Sequence, residues 1–431
     1  MKKVCFHTLG CKLNQAETAT LAEQFDRYGV QVVPFGEDAD WCIINTCTVT
    51  QKTDYRCRQI IRRVKKIFPN ARIAVVGCYA QLNPDKISEI GGVDFILGSD
   101  RKFELVKLIN SGPALKPPVV LQSDNQDFQN PAAGNFWDHT RAFLKIQDGC
   151  DSGCAYCTVP LARGRSRSDS LDHIVKVCRE LTQKGHKEIV LTGVHIGAYG
   201  KDLVPPLQLL DVVKRVHEIE GVERVRLSSL EPLEVDDSLI DWIADSAKVC
   251  HHFHIPLQSG ADAVLKRMNR NYSAHLFEKI INKLRQKMPG CGLGADIIVG
   301  FPGETERHFQ QTVSLVERLP LTYAHVFSYS ARPLTAAAGF EGQVSAAETR
   351  ERSAVLRAIA QHKKKNFYRS LVNTVVRVLW EEQIAAGWLA GWTDQYVRVK
   401  AKISTDKLNQ ITRAKIISAT DKIACAEMVA D

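Results

Sequence analysis

Three cysteines within eight residues are the strongest chemical feature of this 431-residue sequence. They are Cys150, Cys154 and Cys157, in a CxxxCxxC pattern. A loop this short can bring three thiolates to one face of a metal cluster. Structural zinc sites normally close with four ligands, often in paired CxxC units, and no second pair follows here. The pattern therefore favours a [4Fe–4S] cluster with one open iron, with zinc as the alternative.

Another three cysteines lie in the first hundred residues, each just after a predicted strand: Cys11, Cys47 and Cys78. The carboxyl ends of neighbouring parallel strands line one crevice, so these thiols can converge on a metal. The alternative is that they are ordinary residues of strand ends. Other cysteines in this part of the chain fall inside predicted strands or helices, where a free cysteine behaves as a small apolar residue; these are Cys5, Cys42 and Cys57.

The elements that must position these thiols follow from hydrophobic periodicity. Residues 1–112 alternate predicted strands at 3–8, 41–46, 73–77 and 93–97 with helices at 14–28, 50–68 and 84–90. This pattern predicts a doubly wound α/β domain with a parallel sheet. Proline, glycine and polar residues accumulate over 113–139, which predicts a linker.

Six further βα units are predicted within 140–369, which indicates a full or partial (β/α) barrel with its site at the carboxyl ends of the strands. Their strands are expected at 142–147, 188–192, 224–229, 253–256, 294–299 and 324–329. A long helix over 346–371 closes this region. The remaining 370–431 are rich in short β runs and predict a small antiparallel β-barrel.

Composition limits the partners and the compartment. No signal peptide and no run of about 20 apolar residues is present, so we expect a cytoplasmic protein that does not cross a membrane. In a reducing cytosol the 13 cysteines are more consistent with metal binding or catalysis than with disulfides. Basic residues are concentrated at 51–68, with seven against one acidic, and at 345–370, with seven against two, which favours a polyanionic partner.

The CxxxCxxC loop after the first barrel strand resembles the radical S-adenosylmethionine superfamily. The resemblance implies that the open iron binds S-adenosylmethionine, which is cleaved to a 5′-deoxyadenosyl radical. It also implies cofactor contacts. Tyr156 and Gly300 would lie at the adenine, Gly193 at the methionine amino group, and Ser229 and Glu231 at the ribose.

Gly-Cys11-Lys-Leu-Asn-Gln, Asn-Thr-Cys47-Thr-Val-Thr and Gly-Cys78-Tyr-Ala-Gln-Leu resemble the amino-terminal domain of the methylthiotransferases. The resemblance continues through Arg226-Leu-Ser-Ser-Leu-Glu-Pro and His254-Ile-Pro-Leu-Gln-Ser-Gly. It implies that the three cysteines hold an auxiliary [4Fe–4S] cluster that donates sulfur. It also implies that the last sixty residues form an RNA-binding TRAM domain.

Within that family, Lys12 and the motif Ala-Arg163-Gly-Arg165-Ser-Arg167-Ser are most similar to the sequences of the branch that acts on threonylcarbamoyladenosine of tRNA. Branches acting on isopentenyladenosine of tRNA or on an aspartate of a ribosomal protein are the alternatives. The resemblance implies a monomer that binds a tRNA anticodon stem-loop and receives electrons from a flavodoxin or ferredoxin. Arg163, Arg165 and Arg167 are expected to contact phosphates.

Two rival classes remain open at this level. A non-catalytic RNA-binding protein has no use for Cys150, Cys154 and Cys157. A different radical enzyme, such as a methyltransferase or lyase, needs those three cysteines but not Cys11, Cys47 and Cys78. The region 370–431 carries eight basic and seven acidic residues, so an RNA-binding barrel there must act through shape or a few local contacts.

Overall fold

A computed structural model describes residues 2–110, 118–124, 126–129 and 140–429. The chain divides into two compact units. The first comprises Met1–Leu181, Thr192–Gln208 and Ser330–Ala338, and the second Thr182–Leu191, Leu209–Tyr329 and Gly339–Asp431. Within the described ranges, no helix has the length and apolar character needed to span a bilayer.

The first unit is built on a parallel sheet of six strands in the order β2-β1-β3-β4-β5-β6. Its strands are β1 Lys3–Thr8, β2 Gln31–Val32, β3 Trp41–Thr46, β4 Arg72–Gly77, β5 Phe95–Leu97, β6 Val119–Leu121, β7 Arg141–Lys145, β8 Gln147–Asp148 and β9 Arg167–Ser168. Its α-helices are α1 Lys12–Arg27, α2 Gln51–Ile67, α3 Cys78–Leu82, α4 Pro84–Ser88, α5 Leu105–Asn110, α6 Val159–Arg163 and α7 Leu171–Gln183. Short 3-10 helices lie at Arg101–Glu104 and Ile196–Ala198.

Two apolar cores, one on each face of this sheet, confirm the predicted doubly wound domain. Alternate residues of a strand point to opposite faces. One face packs Val4, Phe6 and Ile43 against α1 and α5, and the other packs Cys5, Cys42 and Ile44 against α2. Cys57 of α2 belongs to the second core, so these three cysteines are fully buried apolar residues, as predicted.

The predicted linker 113–139 is not wholly irregular. Within it, 113–117, 125 and 130–139 lie outside the described residues. Residues Val119–Leu121 form β6, the edge strand that pairs in parallel with β5. A three-residue strand between prolines and polar residues carries too little periodicity to be recognised in the sequence.

The compact units also depart from the predicted boundary at residue 140. The segment of the CxxxCxxC loop packs with the first sheet rather than forming a body with the other barrel strands. Side-chain hydrogen bonds explain this grouping: Thr158 Oγ1 donates to Thr48 O over 3.3 Å and Ser99 Oγ donates to Ala162 O over 2.6 Å. Residues Ser330–Ala338 join the same unit, where Arg332 pairs with Asp54 at 2.7 Å.

The second unit contains the remaining strands and helices. Its strands are β10 Glu188–Thr192, β11 Arg224–Leu227, β12 His252–His254, β13 Gly292–Val299, β14 Tyr323–Ser328, β15 Val375–Ala385, β16 Trp388–Thr393, β17 Arg398–Lys402, β18 Ile411–Ala419 and β19 Ala424–Met428. Its α-helices are α8 Leu209–His217, α9 Asp237–Asp245, α10 Asp262–Arg267, α11 Ala274–Lys287, α12 Glu306–Arg318 and α13 Ala346–Ser370. Further 3-10 helices of this unit lie at Pro232–Glu234 and Thr405–Lys407, and another, at Ala336–Gly339, spans the boundary between the two units in the chain.

Strands β10 to β14 alternate with helices and pair in parallel: β10 pairs with β11, β12 with β13, and β13 with β14. This confirms the (β/α) architecture predicted for the middle of the chain. One face of β12 to β14 is apolar and buried, including Phe253, Leu293 and Ile297. The opposite face is polar, because histidine, aspartate and tyrosine occupy the alternate positions, and such a face is suited to a binding site.

The last five strands form a closed barrel in the order β15-β16-β17-β19-β18. The predicted all-antiparallel pairing is wrong in one place, since β17 and β19 pair in parallel. Strand β16 was not predicted because Gly387 and Gly391 resemble turn residues. Gly391 is required by close packing of backbones: a Cβ there would lie 2.0 Å from Leu379 O.

Buried arginines of the parallel strands form hydrogen bonds to this barrel within the same unit. Arg226 donates to Glu188 Oε1 over 2.6 Å and to the carbonyls of Thr393 and Asp394 over 3.0 Å each. Arg224 pairs with the same glutamate at 3.1 Å. All three charged side chains have no exposed surface, so the carboxylate depends on both arginines for its neutralisation.

Replacing Arg226 should therefore destabilise the protein strongly. We expect Arg226→Met to lower the free energy of unfolding by about 3 kcal/mol, because Glu188 loses a buried partner and two carbonyls lose their donor. Urea denaturation followed by tryptophan fluorescence measures the loss. Lys187→Met is the matched control, since its pair with Glu223 is partly exposed and should contribute less than about 1 kcal/mol. Equal losses in the two variants would contradict this role for Arg226.

Candidate functional site

Three strands of the first sheet are each followed by a cysteine, as the sequence predicted. Cys11 follows β1, Cys47 follows β3 and Cys78 follows β4. Strands β1 and β3 are adjacent at the point where the strand order reverses, and β4 is the next neighbour. The crevice at such a point is where doubly wound sheets bind ligands. The three thiols therefore belong to the rim of one crevice.

Helix starts and glycines bring the thiols close to the backbone. Cys11 is the N-cap of α1, and Cys78 is the first residue of α3. Amide groups at a helix N-terminus favour an anionic sulfur. Gly10 and Gly77 have φ angles of +112° and +95°, and a Cβ on Gly10 would lie 2.7 Å from Cys47 Cβ. Larger residues there would separate the loops that carry the cysteines.

The thiols also act on one another electrostatically. Desolvation raises the pKa of Cys47, and the charges of Cys78 and Cys11 raise it further. Desolvation likewise raises the pKa of Cys11, while the Arg163 guanidinium opposes that rise. Three crowded thiolates repel each other unless a cationic group lies among them. This donor set fits a metal cluster, which would deprotonate and neutralise all three.

The CxxxCxxC loop lies in the same compact unit and is fixed at its base. Gln147 donates to the carbonyls of Asp148 and Gly149 over 2.9 and 2.8 Å. A Cβ on Gly149 would lie 1.8 Å from Arg165 O, so only glycine fits there. Within the loop, Cys157 N–H donates to Cys154 O over 3.1 Å. All three cysteines of the loop are partly exposed, as a cluster open to a small molecule requires.

His195 and Ser152 contact Cys150, and sequence reasoning missed both. His195 Nδ1 lies 3.6 Å from Cys150 Sγ, and the Ser152 hydroxyl lies 3.3 Å from the same sulfur. Desolvation would raise the pKa of Cys150, but these hydrogen bonds outweigh it and lower the pKa. The thiol is thus prepared for metal ligation. The only sequence signal was that His195 follows Thr192-Gly193, where a cofactor contact was expected.

Arg163 is not a surface residue, so its predicted contact with RNA phosphates is wrong. It ends α6, six residues after Cys157, and is 2% exposed. Its Nε donates to Cys78 Sγ over 3.2 Å, and its Nη1 donates to Glu17 and Asp148 over 2.9 and 3.0 Å. Its Nη2 donates to Asn14 Oδ1 over 2.8 Å. The side chain therefore joins the CxxxCxxC segment to the first crevice.

Lysines complete this buried network. Glu17 also pairs with Lys102 and Lys145, at 2.5 and 3.1 Å, and Lys145 pairs with Asp148 at 2.6 Å. Desolvation would raise the pKa of Glu17, but the surrounding cations hold it well below its ordinary value. The sequence carried no signal for this network, because its members lie on distant segments.

The two other arginines of this segment, Arg165 and Arg167, differ in their exposure to solvent. Arg167 is also buried, and its Nη1 donates to the carbonyls of Arg163 and Arg165 over 2.8 and 3.1 Å. Its predicted phosphate contact is wrong for the same reason as that of Arg163. The Arg165 side chain is 90% exposed, and its Nε donates to the exposed Asp151 Oδ1 over 3.3 Å. Arg165 alone of the three keeps the predicted surface position.

The residues expected to bind S-adenosylmethionine lie in both units. In the first, Tyr156 is partly buried in the cysteine loop, and Gly193 lies where a Cβ would be 2.7 Å from Gln147 O. In the second, Ser229 is exposed, and Glu231 is ion-paired with Arg270. Gly300 has φ +75°, and its N–H donates to Glu304 over 2.7 Å. Their contacts with the cofactor stay predictions.

A polar cluster of the second unit lies on the polar face of β12 to β14. His254 Nε2 is 3.0 Å from Asp296 Oδ1, and one ligand atom of each of His254, Asp296 and His325 lies within 4.8 Å of the others. Tyr323 OH lies 3.1 Å from His254 Nδ1 and 2.8 Å from His252 Nε2, which fixes the orientation of His254. The sequence analysis did not identify this cluster.

Two basic helices offer surfaces for a polyanion, one in each unit. In α2, Lys52, Arg56, Arg62, Arg63 and Lys66 are exposed. In α13, Arg350, Arg357, Lys365 and Arg369 are exposed, whereas Arg352 is buried against Glu304 at 3.0 Å.

Comparison with known families agrees with this geometry. Residues 3–98 match a family described as "Uncharacterized protein family UPF0004", and residues 144–316 match the radical SAM superfamily. The chain is also similar in fold to a radical S-adenosylmethionine methyltransferase, TsrM, from Kitasatospora setae. That structure has a TM-score of 0.57 and 14% identity, over 76% of this chain and 73% of the other.

Curated relatives extend over the whole chain. A threonylcarbamoyladenosine tRNA methylthiotransferase, MtaB, of Bacillus subtilis is 38% identical over 97% of this chain and 94% of its own length. The protein of that name from Thermotoga maritima is 37% identical over 100% and 98%. A tRNA-2-methylthio-N(6)-dimethylallyladenosine synthase of Alkaliphilus oremlandii is 33% identical over 88% and 82%. Together with the two cysteine triads, these similarities show that the chain belongs to the radical SAM methylthiotransferase family.

Proposed function

We propose that this transferase converts N6-threonylcarbamoyladenosine at position 37 of tRNA, beside the anticodon, into its 2-methylthio derivative. The observation that carries the proposal is the presence of two cysteine triads in one compact unit, connected through Arg163. The substrate branch is supported by two relatives that bear this activity in their names and match 97% and 100% of the chain. Isopentenyladenosine of tRNA and a ribosomal aspartate are the alternative substrates.

The enzyme uses S-adenosylmethionine and a [4Fe–4S] cluster, as members of its superfamily do. Cys150, Cys154 and Cys157 would hold this cluster, with His195 beside Cys150. We further propose a second [4Fe–4S] cluster on Cys11, Cys47 and Cys78, supported by their positions after the neighbouring strands β1, β3 and β4 and by the close approach of Gly10 to Cys47. Two equivalents of S-adenosylmethionine and a sulfur-donating cluster together supply the methylthio group and the radical that activates the adenine.

The chain's own residues would bind and orient the RNA. The exposed cations of α2 and the neighbouring Arg165 would contact phosphates in the first unit, and those of α13 would do so in the second. The C-terminal barrel has nearly balanced charge, so its contribution would depend on shape. A base in the anticodon loop is already single-stranded and can be turned into the site at modest cost.

Other features remain predictions. They are an electron donor of the flavodoxin or ferredoxin type, a monomeric state and a cytoplasmic location. A non-catalytic RNA-binding role is disfavoured, because it gives no reason for a cysteine loop whose first thiol is hydrogen-bonded by His195 and Ser152.

Metal analysis should find two clusters. We expect about eight irons and eight sulfides per anaerobically reconstituted chain. Replacing Cys11, Cys47 and Cys78 together with Ala should remove half, and replacing Cys150, Cys154 and Cys157 should remove the other half. A matched control replaces Cys5, Cys42 and Cys57, which are buried in the apolar core of the same unit, and should retain all the irons in whatever folded protein it yields. Full iron content without Cys11, Cys47 and Cys78 would refute the second cluster.

The two triads should also have separable functions. The variant without Cys11, Cys47 and Cys78 should still cleave S-adenosylmethionine to 5′-deoxyadenosine under reduction, because the CxxxCxxC loop is intact, but it should form no thioether. Chromatography of the nucleoside products measures both. If a folded variant that keeps its four CxxxCxxC irons cannot cleave the cofactor at all, the separation fails.

The substrate assignment is tested by mass spectrometry of nucleosides. Reconstituted enzyme should add a methylthio group to tRNA that carries N6-threonylcarbamoyladenosine, and should leave tRNA that carries isopentenyladenosine unchanged. The same tRNA without the threonylcarbamoyl group is the control. Reaction only with isopentenyladenosine would make the branch assignment wrong, and reaction only with a ribosomal protein would exclude RNA as the substrate.

A further inference from the structure

Arg163 makes more polar contacts than a simple ion pair requires. Its three guanidinium nitrogens reach Cys78, Glu17, Asp148 and Asn14, all over 2.8–3.2 Å. All three nitrogens of the planar guanidinium donate hydrogen bonds: Nε donates to the sulfur, while Nη1 and Nη2 donate to the carboxylates and the amide. Lysine, a point charge on a flexible stem, cannot make this set of contacts.

The cations around Arg163 outnumber the carboxylates. Two carboxylates, Glu17 and Asp148, meet three cations, Lys102, Lys145 and Arg163, and each of these five side chains is at most 5% exposed. Arg167 adds a fourth cation, 3.7 Å from Asp148. Buried charge is costly unless it is paired. The network therefore carries an excess of positive charge, and the Nε–H of Arg163, one of its cations, points to the Cys78 sulfur.

We propose that Arg163 is a positioning residue of the auxiliary cluster: it fixes Cys78 by an N–H···S hydrogen bond and raises the reduction potential of the cluster. The proposal rests on the proposed function, since it requires a cluster on Cys11, Cys47 and Cys78. Hydrogen bonds to the sulfur ligands and nearby charge are principal determinants of the potential of an iron–sulfur cluster. A donor that withdraws electron density from the thiolate favours the reduced cluster.

The location of Arg163 in the chain gives the contact a second consequence. Arg163 is the last residue of α6, the short helix that begins at Val159, just after Cys157. Ser99 Oγ donates to the carbonyl of the neighbouring Ala162 over 2.6 Å. Thr158, next to Cys157, donates to Thr48, next to Cys47, over 3.3 Å. One short segment therefore links the ligand loops of both cysteine triads.

The test compares variants that change the sulfur contact with one that changes only the surrounding charge. Arg163→Gln removes the charge and the Nε–H donor, and Arg163→Lys keeps the charge but loses the planar guanidinium. Lys145→Met removes a cation from the same two carboxylates, and Lys145 is 3.1 Å from Glu17 and 2.6 Å from Asp148. Arg165→Gln, at an exposed position two residues away, is the surface control.

The midpoint potential is measured by redox titration with electron paramagnetic resonance of the holoenzyme. The titration is repeated on chains with Ala at Cys150, Cys154 and Cys157, in which only the auxiliary signal remains. We expect the ratio of reduced to oxidised auxiliary cluster at a fixed potential to fall about tenfold in Arg163→Gln, which is ~59 mV for one electron. Arg163→Lys should shift the ratio in the same direction by less, Lys145→Met by less than Arg163→Gln, and Arg165→Gln should leave it unchanged.

A second readout identifies the hydrogen bond itself. In the reduced wild-type cluster, pulsed resonance spectra in H₂O and D₂O should show an exchangeable proton coupled to the cluster, which both Arg163 variants should lose. A proton coupling that persists in Arg163→Gln would overturn the proposal, and so would a potential shift in Lys145→Met as large as that in Arg163→Gln. Wild-type protein with only four irons would instead contradict the proposed function.

Discussion

The buried pair between Glu17 and Arg163 is the interaction on which the arrangement of the site depends. Glu17 lies on α1, directly behind Cys11, and Arg163 lies on the helix that follows the CxxxCxxC loop. Two hydrogen bonds of 2.9 and 3.0 Å join them where the two side chains are 1% and 3% exposed. Because charges so deeply buried must find partners, moving either segment would cost the other a buried hydrogen-bonded partner.

Such a network is weak evidence for stability, since well-packed apolar residues often replace buried ion pairs at no loss. Its value here lies in specificity. Glu17 accepts from Arg163, Lys102 and Lys145, which lie on three separate segments of the chain. These contacts join the three segments and hold the helix that follows the Cys150 loop against the crevice of Cys78.

The second unit also contains a buried glutamate that is neutralised by arginines. Glu188 is enclosed by Arg224 and Arg226, and these arginines also donate to carbonyls of the C-terminal barrel. The small barrel is thus part of the same compact unit as the parallel strands. Under the proposed function, its nearly neutral surface would recognise RNA by shape, and the exposed cations of α2 and α13 would attract the phosphates.

The sequence by itself determined the chemistry of the protein. Cysteine spacing and the strand ends before Cys11, Cys47 and Cys78 predicted two candidate cluster sites, because both depend on local periodicity, and the motifs around these cysteines indicated the family. The tertiary structure decided what local patterns cannot encode. It buried Arg163 and Arg167, which the sequence had suggested for RNA binding, and it brought His195 to Cys150 and Glu17 to Arg163. It also inserted β6 from a segment that looked irregular and paired β17 with β19 in parallel. The contacts of Arg163 with Glu17 and Cys78, the contact of His195 with Cys150 and the two strand pairings join residues that are distant in the chain, so local sequence patterns do not show them.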